Sequence, residues 1–205
     1  MRLTNAIVVI LDISGYTAFI RHRAVTLAHA EDIVTSLLET VIDRAEHPLT
    51  LNKLEGDAAL LWCEAGSDPA AAARSVLAQV EAAFADFAAR LQRMKGERSH
   101  CSCDACANIG VLELKALVHC GEIALKQVRQ FEELAGEPVI VAHRLLKNRV
   151  PVRNYLLVTD SFRALAGVPG QAQSLREDCE GIGEVDVWWR AIDPGQQSRS
   201  GPTAH

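Results

Sequence analysis

The run Ala6-Ile7-Val8-Val9-Ile10-Leu11, closed by Asp12, limits the possible folds of this chain more than any other stretch. It is continuously apolar and rich in β-branched residues, which suits a buried central strand. It is far shorter than the roughly twenty apolar residues of a membrane span. It also lacks the longer apolar core and small-residue cleavage site of a secretory signal. The expectation is a cytoplasmic protein without membrane attachment. In that compartment thiols stay reduced, so the six cysteines point to metal binding or thiol chemistry rather than a disulfide framework.

Past Gly15 the pattern changes from strand to helix. An amphipathic stretch runs from about Tyr16 to Ala45, with Ile33, Leu37, Leu38, Val41 and Ile42 at helical spacing. Two short strand-like runs follow, Thr50 to Leu54 and Ala58 to Cys63. They meet at Glu55-Gly56-Asp57, a hairpin signal. Asp68 is placed to cap a long helix that begins at Pro69 and extends to about Lys95. Val111 to Ile123 reads as a strand and Ala124 to Phe131 as a second. Pro138 opens a short helix through about Asn148, and Tyr155 to Thr159 and Val185 to Ile192 read as further strands. This order predicts an α+β domain over residues 1–193, with a ferredoxin-like βαββαβ core and a mainly antiparallel sheet covered by helices. Residues 194–205 have the composition of a disordered tail.

A length of 205 residues fits one domain with a full core, and a net charge of −5 gives no basis for binding nucleic acid or an anionic membrane. The residues that carry chemistry fall into two groups. The first lies in a polar segment, 97–110, expected to be a loop: His100-Cys101-Ser102-Cys103-Asp104-Ala105-Cys106. Thiolates are soft ligands, and zinc takes four Cys or His groups in a tetrahedron. Cys101, Cys103 and Cys106 are therefore candidate ligands of Zn2+ or another soft metal. The fourth ligand is open among His100, Cys63, Cys120, Cys179 and a group from another chain. Free, redox-responsive loop thiols are the alternative.

The second group is carried by four separated motifs. They are Leu11-Asp12-Ile13-Ser14-Gly15-Tyr16-Thr17, Lys53-Leu54-Glu55-Gly56-Asp57, Val118-His119-Cys120-Gly121-Glu122, and Gly136-Glu137-Pro138-Val139-Ile140-Val141-Ala142-His143-Arg144-Leu145. In order and approximate spacing they resemble the catalytic domain of the class III adenylate and guanylate cyclases. The likeness runs from Asn5 to Asn148 and more weakly to Ile192. The Cys-rich insert before the His-x-Gly strand is similar to that of a bacterial group of cyclase-like domains.

The resemblance implies that Asp12 and Asp57 bind Mg2+ or Mn2+ in the two-metal manner of phosphoryl transfer. It implies that Lys53 and Glu133 contact the base of a nucleoside triphosphate, with ATP favoured over GTP. Arg144 is implied to stabilise charge on the phosphates, as a fixed guanidinium can. It also implies a homodimer, because active sites of that family form between two protomers. Read from residue type alone, Asp12 also suits a helix cap, Asp57 a turn, and Lys53 and Arg144 solvated surface positions.

Two departures weigh against ordinary turnover. Ile140 stands where the family has a ribose-orienting asparagine, and it can neither donate nor accept a hydrogen bond. Ile182 stands where the family holds a triphosphate lysine, with Lys126, Arg129 and Lys147 as possible replacements. The sequence therefore supports three functional expectations: a weak or divergent nucleotide cyclase, a catalytically silent sensor or scaffold modulated at its thiols, or a plain metal-stabilised structural domain.

Overall fold

The computed structural model describes residues 1–20, 27–167 and 171–193. The expected tail, 194–205, lies outside these residues apart from its approach at Asp193. Strand β1 (Arg2–Ser14) occupies the middle of one sheet. Its residues Ile7, Val8, Val9 and Ile10 have no exposed surface, as an uninterrupted apolar run requires. It pairs antiparallel with β3 (Ala58–Glu64) on one side and with β4 (Glu113–Val128) on the other.

Strand β2 (Thr50–Glu55) forms the expected hairpin with β3. Beyond β4 come β6 (Tyr155–Thr159), β8 (Gly183–Ala191) and the edge strand β7 (Gln173–Cys179). The full order is β2-β3-β1-β4-β6-β8-β7, and β5 (Phe131–Ala135) pairs with β4. Among the described residues only the β4–β6 pair is parallel. This is the predicted α+β architecture.

Alternating side chains of β1 serve two cores. Ile7, Val9, Leu11 and Ile13 face α2 (Leu27–Asp43), α3 (Pro69–Glu97) and α6 (Asp160–Ala166), where Leu37, Phe84 and Phe162 are buried. Ala6, Val8 and Ile10 face the opposite side, where α5 (Glu137–Arg144) covers the sheet with Val141 and Ala142. Fully burying one such aliphatic or aromatic side chain stabilises the fold by about 1.5–3 kcal/mol.

Several local expectations change. The amphipathic stretch after Gly15 comprises α1 (Tyr16–Ile20) and α2, with 21–26 outside the described residues. The strand expected over Ala124–Phe131 is a continuation of β4 to Val128. The ladder with β1 runs on as far as Arg2 opposite Leu125, so the hairpin turn falls later. The Cys-rich segment is not an open loop. It holds the helical turn α4 (Asp104–Asn108) and a 3-10 turn, Ile109–Val111. Ala105 and Ile109 are fully buried against the α2–α3 core and anchor that segment. The long helix begins as expected, with the Asp68 carboxylate accepting the Ala71 N–H at 2.9 Å and Pro69 in its first turn.

Candidate functional site

Asp12 is a half-buried position near the end of β1, between buried Leu11 and Ile13, and Asp57 sits in the β2–β3 turn. The register joins them, because Asp12 is level with Ala58 and the Ile13 N–H donates to the Asp57 carbonyl at 3.0 Å. Burial raises the pKa of Asp12, and the nearby Asp57 charge raises it further. The Lys115 ammonium opposes both. Asp57 is also raised, again chiefly by burial and again opposed by Lys115. Lys115 stands directly across the ladder from Asp12, with Nζ 3.4 Å from its Oδ1, and also donates to the Leu146 carbonyl at 3.4 Å. Two half-buried carboxylates sharing one ammonium form a site of concentrated negative charge that a hard cation would suit.

The turn after Asp12 is tightly built. Gly15 has φ +93°, and a Cβ there would lie 2.8 Å from the Val111 carbonyl oxygen. Only glycine accepts that approach at that backbone angle. On its far side the Tyr16 hydroxyl donates to Glu31 of α2 at 2.9 Å.

Lys53 and Glu133 meet as well. The β4–β5 hairpin reaches β2, so that Lys53 Nζ lies 3.3 Å from Glu133 and 3.7 Å from Glu55. The Asn52 amide donates to the Glu132 carbonyl at 3.0 Å, while its Oδ1 is buried without a partner. Lys53, Asn52, Trp62, Phe131 and Glu133 line an open cleft of about 520 Å³. Glu55 continues the network to His143 of α5 at 2.7 Å, and the other ring nitrogen of His143 faces the Val139 carbonyl at 2.7 Å. Directly paired residues share a sheet face. Lys53 opposite Leu60, and Asp12 opposite Ala58 and Lys115, thus all lie on the α5 side.

Arg144 is not brought to either group within one chain. It pairs with the exposed Glu180 at 3.2 Å. Ile140, also on α5, is 49% exposed with no packing reason for an apolar residue. Ile182 packs against the α5-side core. Lys126, Arg129 and Lys147 are all exposed, two on the β4–β5 hairpin and one just past α5. His119, on β4, has its Nδ1 2.8 Å from the Thr159 hydroxyl, and burial drives its pKa down to about 4. Its position is that of a neutral, hydrogen-bonded structural histidine.

The thiols form the second centre, on the opposite face of the sheet. The Sγ atoms of Cys101 and Cys103 are 3.5 Å apart, and Cys103 Sγ accepts the Cys106 N–H at 3.5 Å. The fourth group is His29 of α2. Its Nδ1 is 3.4 Å from Cys103, 3.7 Å from Cys101 and 3.8 Å from Cys106. All four ligand atoms lie within 4.8 Å of one another and could hold a metal ion.

The Cys106 amide and then His29 pull the Cys103 thiol down to about 6, while burial and the neighbouring thiols push Cys106 up to about 11. Cys63 and Cys179 are buried elsewhere, on β3 and β7, and Cys120 lies on β4 beside Ser161. Among the described residues the cluster includes none of these three, nor His100. His29 and Lys115 carry no local sequence signal. Each enters its site only through strand register or helix packing.

Among the described residues no helix is long and apolar enough to cross a membrane. Residues 34–155 match the family described as a protein of unknown function (DUF2652). The uncharacterized protein Rv2561/Rv2562 of Mycobacterium tuberculosis is 39% identical over 162 residues, covering 75% of this chain and 71% of that protein.

Among solved structures, a bacterial light-regulated adenylyl cyclase aligns with TM-score 0.66 at 15% identity. The alignment takes in 91% of this chain, which spans about half of that protein, 52%. The guanylyl cyclase Cya2 aligns with TM-score 0.68 at 14% identity over 91% of both chains. A class III adenylyl cyclase-like ATP-binding protein from Pseudomonas aeruginosa aligns with TM-score 0.66 at 15% identity, over 80% of this chain and 35% of that one. At such identities the likeness concerns the fold, which is that of class III cyclase domains. With more than half its length inside the matched region and a relative at 39% identity, the chain belongs to the DUF2652 family.

Proposed function

We propose that this chain is a cytoplasmic nucleotide-binding domain of class III cyclase type. It acts as a homodimer, takes ATP with Mg2+ or Mn2+, and converts it slowly to cyclic AMP and pyrophosphate. The observation that carries the reading is that Asp12 and Asp57 are half-buried neighbours at one end of the sheet, near enough for each to feel the charge of Lys115. Hard carboxylate oxygens are the donors that magnesium and manganese prefer. A cation bound there would offset the triphosphate charge and favour loss of the 3′-hydroxyl proton.

In this reading the chain's own residues position the reactants. Lys115 fixes the Asp12 carboxylate against the strand. Lys53 and Glu133 offer the base a paired donor and acceptor at the wall of an open cleft. Arg144 of a second copy would face the phosphates. The 3′-oxygen bonds to the α-phosphorus as the bond to the leaving pyrophosphate breaks. Exposed Leu54, Val128, Phe131 and Ile140 near these residues support a dimer contact. A soft divalent ion, zinc by ligand type, sits at the thiol centre.

A second reading is a nucleotide-binding sensor without turnover, modulated at the thiol centre. Ile140 favours it, since an exposed apolar side chain replaces a ribose-orienting amide. Loss of one such hydrogen bond costs about a hundredfold to a thousandfold in rate. The deciding experiment incubates the protein with each nucleoside triphosphate plus magnesium or manganese and separates the products. Metal-dependent cyclic nucleotide that disappears in Asp57→Ala supports the enzyme. Nucleotide binding with no product at any metal concentration supports the sensor, and absence of binding refutes both.

A further inference from the structure

We propose that His29, Cys101, Cys103 and Cys106 close a four-coordinate site around one zinc-class cation, and that this ion braces the turn carrying Asp12. The inference rests on reading the thiol cluster as a metal centre and goes beyond it in two respects. It names the fourth ligand and it assigns the ion a structural task.

The distances carry the first part. Metal–sulfur bonds of about 2.3 Å and metal–nitrogen bonds of about 2.0 Å at tetrahedral angles separate two sulfurs by about 3.8 Å, and sulfur from nitrogen by about 3.5 Å. The observed separations are 3.5 Å for Cys101–Cys103 and 3.4, 3.7 and 3.8 Å from His29 Nδ1 to the three sulfurs. Three thiolates and one imidazole fill a tetrahedron, leaving no position for water or substrate. That is the pattern of a structural site rather than a catalytic one.

The surroundings match this charge. A divalent ion with three thiolates carries one net negative charge, and the Arg98 guanidinium lies beside Cys106 while also pairing with Asp32 of α2. The Cys106 N–H donates to the Cys103 sulfur, as an outer hydrogen bond that orients a ligand does.

The second part follows from what the ligand-bearing segments touch. His29 lies two residues before Glu31, which accepts the Tyr16 hydroxyl. Cys106 lies in α4, which leads directly into the 3-10 turn whose Val111 carbonyl abuts Gly15. One ion joining His29 to Cys106 therefore holds both walls of the Asp12–Tyr16 turn together.

The test uses the full-length chain, purified under reducing conditions, with zinc or cobalt(II) as probe. Wild type should take one equivalent. Its cobalt form should show intense tetrahedral ligand-field bands and thiolate-to-cobalt charge transfer. His29→Ala should weaken metal binding at least about tenfold and lose the tetrahedral spectrum. His100→Ala should change neither, and His29→Cys should restore four-coordination.

No metal in wild type overturns the metal reading itself. Normal cobalt spectra and affinity in His29→Ala overturn the ligand assignment while leaving a metal centre standing. Amide exchange at residues 12–16 and 27–31 should rise when a chelator strips the ion. Unchanged exchange there overturns the brace.

Discussion

Gly15 offers a sharp test, because it lies in the turn after Asp12 and packs directly against the Val111 carbonyl. Replacing it with alanine puts a Cβ at φ +93° and 2.8 Å from the Val111 carbonyl oxygen. The backbone angle alone costs an L-residue about 1–2 kcal/mol. The overlap adds an overpacking cost of about 1–3 kcal/mol, since the atom that must yield is main chain in a half-buried turn. The sum is about 2–5 kcal/mol.

Gly56 supplies the control. Its φ is +67° but a Cβ there meets nothing within 4 Å. Gly56→Ala should therefore cost only the backbone share, about 1–2 kcal/mol. For a chain of this size each kcal/mol lowers Tm by about 2–4 °C. Thermal denaturation followed by circular dichroism should show a drop for Gly15→Ala larger than that for Gly56→Ala by the overlap share, about 2–12 °C. Equal drops would refute the claim that Val111 closes on the turn behind Asp12.

Asp57→Asn should be more stable than wild type at pH 7. The folded state raises the Asp57 pKa by burial, so wild type loses stability as pH climbs from the ordinary carboxylate value through the raised one. The advantage should vanish near pH 3, and an Asn variant less stable at neutral pH would contradict this reading. His119 behaves oppositely. Its pKa is depressed to about 4, so stability is present above the unfolded value of about 6.5 and lost as pH falls from there. That loss, at most about 3 kcal/mol, should be absent in His119→Gln when denaturant midpoints at pH 7 and 4.5 are compared. Asp68→Ala removes the cap of α3 and should cost about 1 kcal/mol, read as a Tm drop of about 2–4 °C.

The main elements of the fold are legible in the chain because their signals are local. An unbroken apolar run dictates a strand covered on both faces. The Gly56-Asp57 pair dictates a tight hairpin, and Asp68-Pro69 starts a helix. What the sequence alone misses is the periphery. Strand β7 is a half-polar edge whose partner supplies its order, and the seven-residue α6 is held mainly by the burial of Phe162. Neither has enough periodicity to declare itself.

The candidate sites divide in the same way. Residue type and spacing alone single out three thiols within six positions, whereas Asp12 and Asp57 stand out only through the resemblance to class III cyclases. Tertiary structure decides their company. The ladder between β1 and β4 sets Lys115 against Asp12, the reach of a hairpin sets Glu133 against Lys53, and the packing of α2 brings His29 to cysteines more than seventy residues away. Such partners share no local pattern, because a contact between distant segments is chosen by register and core packing, which only the folded chain possesses.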